Sequence, residues 1–208
     1  MVFSGYYGID NSLFYLERLP PHFGVKLRLV FVGNLISLKG VDTILRALAT
    51  LPPDINLKII GEGNQRKALE ELCVAMDIIQ RVNFMGALLP ESIPAVLQES
   101  DALVLASYSE GRPNVVLESL AAGLAVVATR IEGTSELVID GQTGLLFPPG
   151  DADALRACIE KLYLDPVLCR RLGESGREWI KEQGLLWQNT AAAYARVFEE
   201  VIAENSRR

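Results

Sequence analysis

The sequence contains few of the residues on which disulfide frameworks, zinc sites and catalytic triads depend. It has one histidine, His22, and three cysteines, Cys73, Cys158 and Cys169, which form no Cys-x-x-Cys pair. An odd number of cysteines without such spacing is typical of free thiols in a reducing cytosol. Since the only histidine lies near the amino terminus, a Ser-His-Asp or Cys-His catalytic arrangement is not expected.

Two further absences limit the partners and the location of the protein. No apolar run reaches the ~20 residues that a transmembrane helix needs, and the opening "MVFSGYYGID" lacks the layout of a signal peptide. The net charge is -6, so bulk electrostatics do not favour nucleic-acid binding. We therefore expect a soluble, cytoplasmic protein with no transmembrane segment and no nucleic-acid partner.

Short apolar runs rich in β-branched residues alternate along the chain with amphipathic stretches. Because hydrophobicity within the runs is continuous rather than alternating, they predict parallel strands that are buried on both faces. The order of the elements predicts an α/β fold with a Rossmann-like, doubly wound parallel sheet of about six strands. The predicted strands are 27–33, 56–61, 82–86, 102–106, 125–129 and, more weakly, 144–147, and the predicted helices between them are 40–51, 64–77, 90–99, 113–123 and 133–139.

The length of 208 residues suits a single domain. We divide residues 1–208 into an irregular lead-in at 1–25, a Rossmann-like core at 26–150 and a tail of three helices at 151–208. An Asp-x-Asp sequence at 151–153 resembles a metal motif, but its position at the start of a helix favours helix capping and dipole compensation.

The expected ligand position follows from topology. In an open α/β sheet, ligands bind beyond the carboxyl ends of the strands, where the strand order reverses. In the common order 3-2-1-4-5, this point lies between the first and fourth strands. Here the first strand ends in "VGNLISLKG" and the fourth in "ASYSEGRPN", and these two loops carry the most unusual polar residues of the chain.

The helix predicted after the fourth strand is suited to binding an anion. Pro113 fits the first helical position, where its missing N–H costs nothing. The N–H groups around Asn114 and Val115 would then point outward at the positive end of the helix dipole. Gly111 allows a ligand to approach closely, and the ammonium of Lys39 in the first loop could reach the same anion. We therefore predict a diphosphate site here.

Two glutamates flank this predicted diphosphate site. Asn114 and Glu118 are spaced i,i+4 and share one face of an otherwise apolar helix. Glu118 lies ~7 Å from the helix start, where a carboxylate could accept two hydrogen bonds from a ribose diol. Glu110, before the turn, would face the other side of the phosphates. A nucleotide sugar has this shape, with phosphates between two hydroxyl-bearing rings.

The chain resembles the carboxyl-terminal half of a retaining GT-B glycosyltransferase of the large family 4, the glycosyl transferases group 1, which is related in mechanism to glycogen synthase. Glu110 and Glu118 match the E-x7-E motif of that family. The resemblance extends in order over nearly the whole chain. The matching segments are "YYGIDNSLF", the phosphate loop "VGNLISLKG", the G-x-G turn in "IIGEGNQRKALE", the strand "VNFMG" before the base loop, "EGRPNVVLESLAAGLAVVAT" and "IEGTSELVIDGQTGLLFPPGD".

The resemblance implies transfer of a sugar from a nucleotide diphosphate sugar to an acceptor hydroxyl with retention of configuration, a hexosyltransferase activity. It implies no metal and no other cofactor, because the helix dipole and cations neutralise the departing diphosphate. The implied site consists of Glu110 as the catalytic contact to the donor sugar, Glu118 at the ribose, Gly111, Arg112, Pro113, Asn114 and Val115 at the sugar and diphosphate, Gly33, Asn34 and Lys39 at the diphosphate, and Gly86 and Leu88 near the base.

Three positions depart from the family pattern. Asn34 stands where the family usually has an arginine, which removes one cation from the diphosphate site. Arg112 occupies a commonly apolar position, and its guanidinium could supply a replacement charge. Glu132 stands where glycine is usual, and it adds a negative charge near the sugar.

Enzymes of this family also have an amino-terminal domain of similar size that binds the acceptor, and the chain begins about where that domain should end. We therefore expect donor binding by this chain but little or no transfer without its partner domain. The base (UDP-, GDP- or ADP-linked), the sugar, the acceptor and the oligomeric state are not readable from the sequence, and peripheral membrane attachment through the missing domain stays open.

Three other functions are alternatives to sugar transfer. A non-catalytic nucleotide- or sugar-binding module is the main alternative, and a GT-B relative such as an epimerase or a phosphorylase is another. A nicotinamide dehydrogenase is disfavoured, because "GNLISLKG" after the first strand is not G-x-G-x-x-G.

Overall fold

The structure, a computed structural model, describes residues 9–14 and 27–205. Within these ranges, six parallel strands form one sheet in the order β3-β2-β1-β4-β5-β6. This arrangement confirms the predicted doubly wound fold and places the reversal of strand order between β1 and β4. The strands are β1 (Leu27–Val32), β2 (Ile55–Ile60), β3 (Val82–Gly86), β4 (Ala102–Leu105), β5 (Ala125–Thr129) and β6 (Gly144–Phe147).

The described helices follow the predicted pattern, with small differences at their ends. The helix predicted at 133–139 is wrong in length, because it ends after four residues at Ser135. His22 and most of the lead-in lie outside the described residues. The helices are α1 (Asn11–Phe14), α2 (Val41–Ala49), α3 (Arg66–Ala75), α4 (Ile93–Gln98), α5 (Asn114–Ala121), α6 (Glu132–Ser135), α7 (Ala152–Leu164), α8 (Pro166–Glu182) and α9 (Trp187–Asn205).

The central strands are buried on both faces. Every residue of β4 and β5 is buried, and so is every residue of β6 at one edge of the sheet, whereas β3 at the other edge has one buried residue. Because helices cover both faces of the sheet, side chains that point to either side enter a hydrophobic core. The continuous apolar runs of the sequence therefore reflect this double burial, and β3 is the more exposed of the two edge strands.

Arg28 and Asp101 join β1 to β4 at the end of the sheet opposite the carboxyl ends of the strands. The guanidinium donates from Nε to Oδ2 over 3.0 Å and from Nη2 to Oδ1 over 2.9 Å. The backbone N–H of Arg28 donates to Oδ2, and the N–H of Asp101 donates to the carbonyl of Arg28. The hydrogen bond to Asp101 raises the pKa of Arg28, against the effect of burial. This bidentate contact fixes β1 against β4.

Two of the carboxyl-terminal helices belong to the body of the domain. α7 packs against α2 on one face of the sheet, and α8 packs against α5 and β5 on the other. The carboxylate of Asp151 accepts a hydrogen bond from the N–H of Ala154 over 2.9 Å. This contact confirms that the aspartate at the start of 151–153 caps a helix.

Arg177 on α8 holds the carboxyl end of α5. Its Nη2 donates to the carbonyl of Ala122 over 2.7 Å, and its Nε donates to the carbonyl of Ala121 over 3.2 Å. The last carbonyls of a helix lack intrahelical partners and carry partial negative charge. The guanidinium therefore stabilises α5 at its carboxyl end.

The segment before α9 is joined to the start of the described chain. The N–H of Ile9 donates to the carbonyl of Leu185, and the N–H of Trp187 donates to the carbonyl of Ile9. Phe14 in α1 is buried in the core. In the part of the chain that the structure describes, none of the helices combines the length and the apolar character needed to cross a bilayer.

Candidate functional site

The loops after β1 and β4 meet at the point where the strand order reverses. β1 is followed in the chain by β2 on one side, and β4 by β5 on the other side. The two loops are tied together by a backbone hydrogen bond from the N–H of Tyr108 to the carbonyl of Leu38, over 2.9 Å. A cleft between such loops is the usual ligand position in a doubly wound sheet.

Lys39 and Glu110 make an ion pair across these two loops. Nζ of Lys39 lies 2.6 Å from Oε1 of Glu110, and the side chains are 21% and 10% exposed. The hydroxyl of Ser107 donates to the same oxygen over 2.6 Å. We predicted that both charged residues face one ligand, and the structure brings them together as partners of each other. Their roles toward a ligand stay predictions.

The amino end of α5 begins one residue later than predicted. Pro113 is not the first helical residue but the capping residue, with φ -71° and ψ 109°. Its extended backbone precedes the helix, and its carbonyl accepts a hydrogen bond from the N–H of Val116 over 3.0 Å. Asn114 and Val115 then occupy the first two helical positions, whose N–H groups have no acceptor within the helix. The structure thus shifts the predicted start of α5 by one residue, and anion binding at this end of the helix stays a prediction.

Glu118 lies one turn into α5, on the face it shares with Asn114. Asn114 is exposed and Glu118 is half-buried. Burial raises the pKa of the Glu118 carboxyl above its usual value, because the charged form loses solvation. A partly desolvated carboxylate on this face of α5 is a candidate ligand for hydroxyl groups.

Two glycines differ sharply in the space around them. A Cβ added to Gly111 would meet no atom within 4 Å. A Cβ added to Gly133 in α6 would lie 2.0 Å from the carbonyl oxygen of Gly111 and 2.5 Å from that of Glu110. The start of α6 thus packs directly on the backbone of the loop at 110–111, whereas Gly111 leaves its other side open. Arg112, next to Gly111 in the sequence, is half-buried, and Glu132, next to Gly133, is exposed.

The residues predicted to contact the base and the diphosphate lie along the same edge of the sheet. The N–H of Gly33 donates to the carbonyl of Ile60, and the N–H of Gly61 donates to the carbonyl of Gly86. These bonds join the ends of β1, β2 and β3. Asn34 is exposed in the first of these loops, whereas Leu88 is partly buried and packs on the core.

Sequence reasoning missed two residues of this region. Ser107 is fully buried and holds Glu110, and Thr129 at the end of β5 donates from Oγ1 to the carbonyl of Ser107 over 2.7 Å. Neither residue lies in a spacing pattern that indicates chemistry. Both contacts depend on the path of the loop after β4, which the sequence does not display.

No group of three or more His, Cys, Asp and Glu residues in the ranges 9–14 and 27–205 is arranged to hold a metal ion. Cys73, Cys158 and Cys169 are free thiols, as predicted. Burial raises the pKa of the Cys73 thiol to about 11, so this side chain is a core residue rather than a nucleophile.

These features define a class of protein: an α/β domain of Rossmann type, with Lys39, Glu110 and Glu118 near its switch point. The chain belongs to the glycosyl transferases group 1, whose family model matches residues 18–179. It is 31% identical over 196 residues to a glycosyltransferase of Methanocaldococcus jannaschii, covering 94% of this chain and 53% of that protein. It is 33% identical over 194 residues to the glycogen synthase of Mycobacterium tuberculosis, covering 92% of this chain and 46% of that enzyme.

Solved structures agree with this assignment. Sucrose-phosphate synthase from Thermosynechococcus elongatus superposes with a TM-score of 0.85 at 28% identity, over 95% of this chain and 52% of that one. HepE from Anabaena, solved with UDP and glucose, superposes with a TM-score of 0.82 at 21% identity, over 92% of this chain and 55% of that one. The chain thus spans about half the length of the relatives that it matches, and it has the fold of one half of a GT-B glycosyltransferase.

Proposed function

We propose that this chain is the donor-binding half of a retaining glycosyltransferase, which moves a hexose from a nucleotide diphosphate sugar to an acceptor hydroxyl. The observation that carries the proposal is the arrangement around α5. Glu110 precedes its amino end, Glu118 lies one turn inside it, and Lys39 reaches Glu110 from the loop after β1. The family membership supports the reaction class.

Each part of the donor has a chemically suitable group in this arrangement. The diphosphate lies at the amino end of α5, where N–H groups and the helix dipole favour negative charge. Lys39 exchanges its bond to Glu110 for one to the diphosphate, whose charge grows as the bond to the sugar breaks. Glu118 accepts hydrogen bonds from the ribose hydroxyls, and Glu110 accepts them from the sugar. Gly86 and Leu88 lie at the base.

The proposal assigns the neutralisation of the diphosphate to α5 and Lys39 rather than to a metal ion. It therefore predicts that nucleotide-sugar affinity is the same in EDTA and in millimolar Mg²⁺. A large gain in affinity with Mg²⁺ would contradict this assignment.

Transfer is proposed to need a part that corresponds to the other half of the relatives. A protein that contains both parts is called a two-half protein. The other half would bind the acceptor and close the cleft over the donor, which excludes water. The free thiols and the absence of a membrane-crossing helix among the described residues fit our proposal of a cytoplasmic enzyme.

NMR of the anomeric proton of the product, made by a two-half protein, tests directly whether the configuration of the sugar is retained.

The first experiment is calorimetric titration of the chain with UDP-, GDP- and ADP-glucose and with GDP-mannose. UDP-glucose is a natural first choice, since HepE was solved with UDP and glucose. We expect one base to be selected, and we expect Glu118→Ala to weaken that binding at least tenfold, the effect of losing charged hydrogen bonds. Glu174→Ala, at an exposed position on α8, is the matched control.

Three results would change the proposal. If none of these donors binds at millimolar concentration, the chain has no donor site of its own. If a donor binds but a two-half protein transfers no sugar, the site is a non-catalytic nucleotide-binding module. If transfer is unchanged in Glu110→Gln, Glu110 is not the catalytic contact.

A further inference from the structure

A series of hydrogen bonds from buried hydroxyl groups leads to Glu110 from α6 and the end of β5. Thr134 Oγ1 donates to the carbonyl of Thr129. Thr129 Oγ1 donates to the carbonyl of Ser107 over 2.7 Å, and Ser107 Oγ donates to Oε1 of Glu110 over 2.6 Å. The three hydroxyl residues are fully buried, with exposures of 0%.

The direction of these bonds determines which way the serine hydroxyl points. A hydroxyl has a single proton, so a serine that donates to a carboxylate cannot donate elsewhere. Burial keeps water from competing, and a hydroxyl bonded to a carboxylate is one of the stronger hydrogen bonds in proteins. The backbone carbonyl of Ser107 is itself held by Thr129, and the hydroxyl of Ser107 donates to Glu110 from this fixed backbone.

Lys39 bonds to the same oxygen, but it has a different task in the proposed function. A lysine reaches its partner on a flexible four-carbon stem, and the proposed function needs its ammonium at the diphosphate. When Lys39 moves to the diphosphate, Ser107 still holds Oε1 of Glu110. Because both bonds use Oε1, the second carboxylate oxygen keeps its full capacity to accept from a sugar hydroxyl.

We infer that Ser107 is the positioning residue of Glu110: it fixes one carboxylate oxygen, so that the other meets the donor sugar when Lys39 turns to the diphosphate. Thr129 supports this role through the carbonyl of Ser107. The inference rests on the proposed function, and it adds a residue that contacts no part of the donor itself.

The test compares the free nucleotide with the nucleotide sugar, because Glu110 contacts the sugar alone. Affinities of UDP, GDP or ADP, whichever the wild-type chain selects, and of the matching glucose or mannose conjugate are measured by calorimetry. Ser107→Ala is expected to lower the affinity ratio of nucleotide sugar to free nucleotide about tenfold, as for a lost hydrogen bond to a charged group. Affinity for the free nucleotide is expected to stay within about twofold of wild type.

Two further variants separate positioning from a loss of fold. Ser100→Ala removes another fully buried serine hydroxyl, which donates to the carbonyl of Val96 over 2.8 Å, and it should leave the ratio unchanged. Thr129→Val keeps the shape of the side chain but removes the bond to Ser107. It should lower the ratio in the same direction by a smaller factor, and it carries the test if Ser107→Ala does not fold.

A double variant completes the design. In a Glu110→Gln background, Ser107→Ala should have little further effect on the ratio, because the charge that Ser107 holds is already gone. An unchanged ratio in both Ser107→Ala and Thr129→Val, or an equal fall in both affinities, would overturn the inference. Absence of all nucleotide binding by the wild-type chain would overturn the proposed function first, and that result is distinguishable from either of these.

Discussion

Lys39 and Glu110, 71 positions apart in the sequence, form an ion pair of 2.6 Å between the loops after β1 and β4. Each side chain is mostly shielded from water, so removal of either partner leaves a poorly solvated charge, which costs free energy. The pair therefore links the two loops through the same cation that we propose for the diphosphate. Binding of a diphosphate and stability of this loop contact are then coupled.

The first prediction concerns the energy of this pair. A double-mutant cycle with Lys39→Met and Glu110→Gln should give a coupling of about 1–3 kcal/mol in the free energy of unfolding, because removing one partner leaves a shielded charge. The surface pair Lys58–Glu99, also 2.6 Å long but with the glutamate 63% exposed, should give less than about 1 kcal/mol. Urea denaturation at pH 7 measures both cycles, and equal couplings would contradict the prediction.

The second prediction concerns the pH dependence of stability at Glu118. Burial raises the folded-state pKa of this carboxyl above the unfolded value, so folding favours its neutral form. The resulting stabilisation is fully present below the unfolded pKa and is lost as the pH rises through the folded pKa. Glu118→Gln, which stays neutral, should therefore unfold at a higher temperature than wild type at pH 7–8.

The same variant should lose this advantage in acid. At a pH below the ordinary glutamate value of 4.5, both side chains are neutral and the melting temperatures should converge. Glu174→Gln on the exposed face of α8 is the control, and it should show no such pH-dependent difference. Thermal melts between pH 4 and 8 decide, and a destabilised Glu118→Gln at pH 8 would be the contrary result.

The third prediction separates binding from folding at two glycines. Gly111→Ala adds a methyl group in open space, so the free energy of unfolding should change by less than about 0.5 kcal/mol. The same methyl group should lower nucleotide-sugar affinity about tenfold, because it stands where the ligand approaches α5. Calorimetry and urea denaturation of one preparation measure both quantities.

Gly133→Ala is the converse case. Its Cβ would lie 2.0 Å from the carbonyl oxygen of Gly111, so the loop or α6 must shift. We expect a loss of more than about 2 kcal/mol in the free energy of unfolding, as for other steric conflicts in packed regions. If Gly111→Ala were the more destabilising of the two variants, the contact between α6 and the loop would be misplaced.

The fourth prediction concerns the cation that replaces the missing arginine at position 34. If Arg112 supplies charge to the diphosphate, Arg112→Ala should weaken binding of the free nucleoside diphosphate about tenfold, a typical cost of one charged hydrogen bond. Asn34→Arg, at an exposed position of the loop after β1, should restore the lost affinity in the Arg112→Ala background. An unchanged affinity in Arg112→Ala would exclude this role for the arginine.

The fold was predictable because strands that are buried on both faces need continuous runs of apolar residues, which are easily recognised in the sequence. All six strands lie within one residue of their predicted ends, since β4 and β5 have no exposed residue and read as unbroken apolar runs. Boundaries set by local turn geometry were harder. Pro113 can occupy either the capping position or the first helical position, and only its ψ of 109° decides between them.

The contacts of the candidate site were predictable in part. The switch-point rule placed Lys39 and Glu110 in neighbouring loops, but it could not show that they bond to each other without a ligand. Ser107 was missed because its importance comes from a loop that folds back on itself between residues 107 and 110. A three-residue separation of serine and glutamate in a loop is too common to indicate this contact.

Arg177 donates hydrogen bonds to the carbonyls of Ala121 and Ala122, so a fragment that is to fold independently needs α8 as well as the sheet. A fragment that ends at residue 150 would retain all six strands and each predicted ligand contact. It would also expose to water the surfaces of α2 and α5 that pack against α7 and α8. The carboxyl end of α5 would lose its hydrogen bonds from Arg177. The shortest fragment that contains all the predicted ligand contacts is thus shorter than the shortest fragment that can fold and hold them in place.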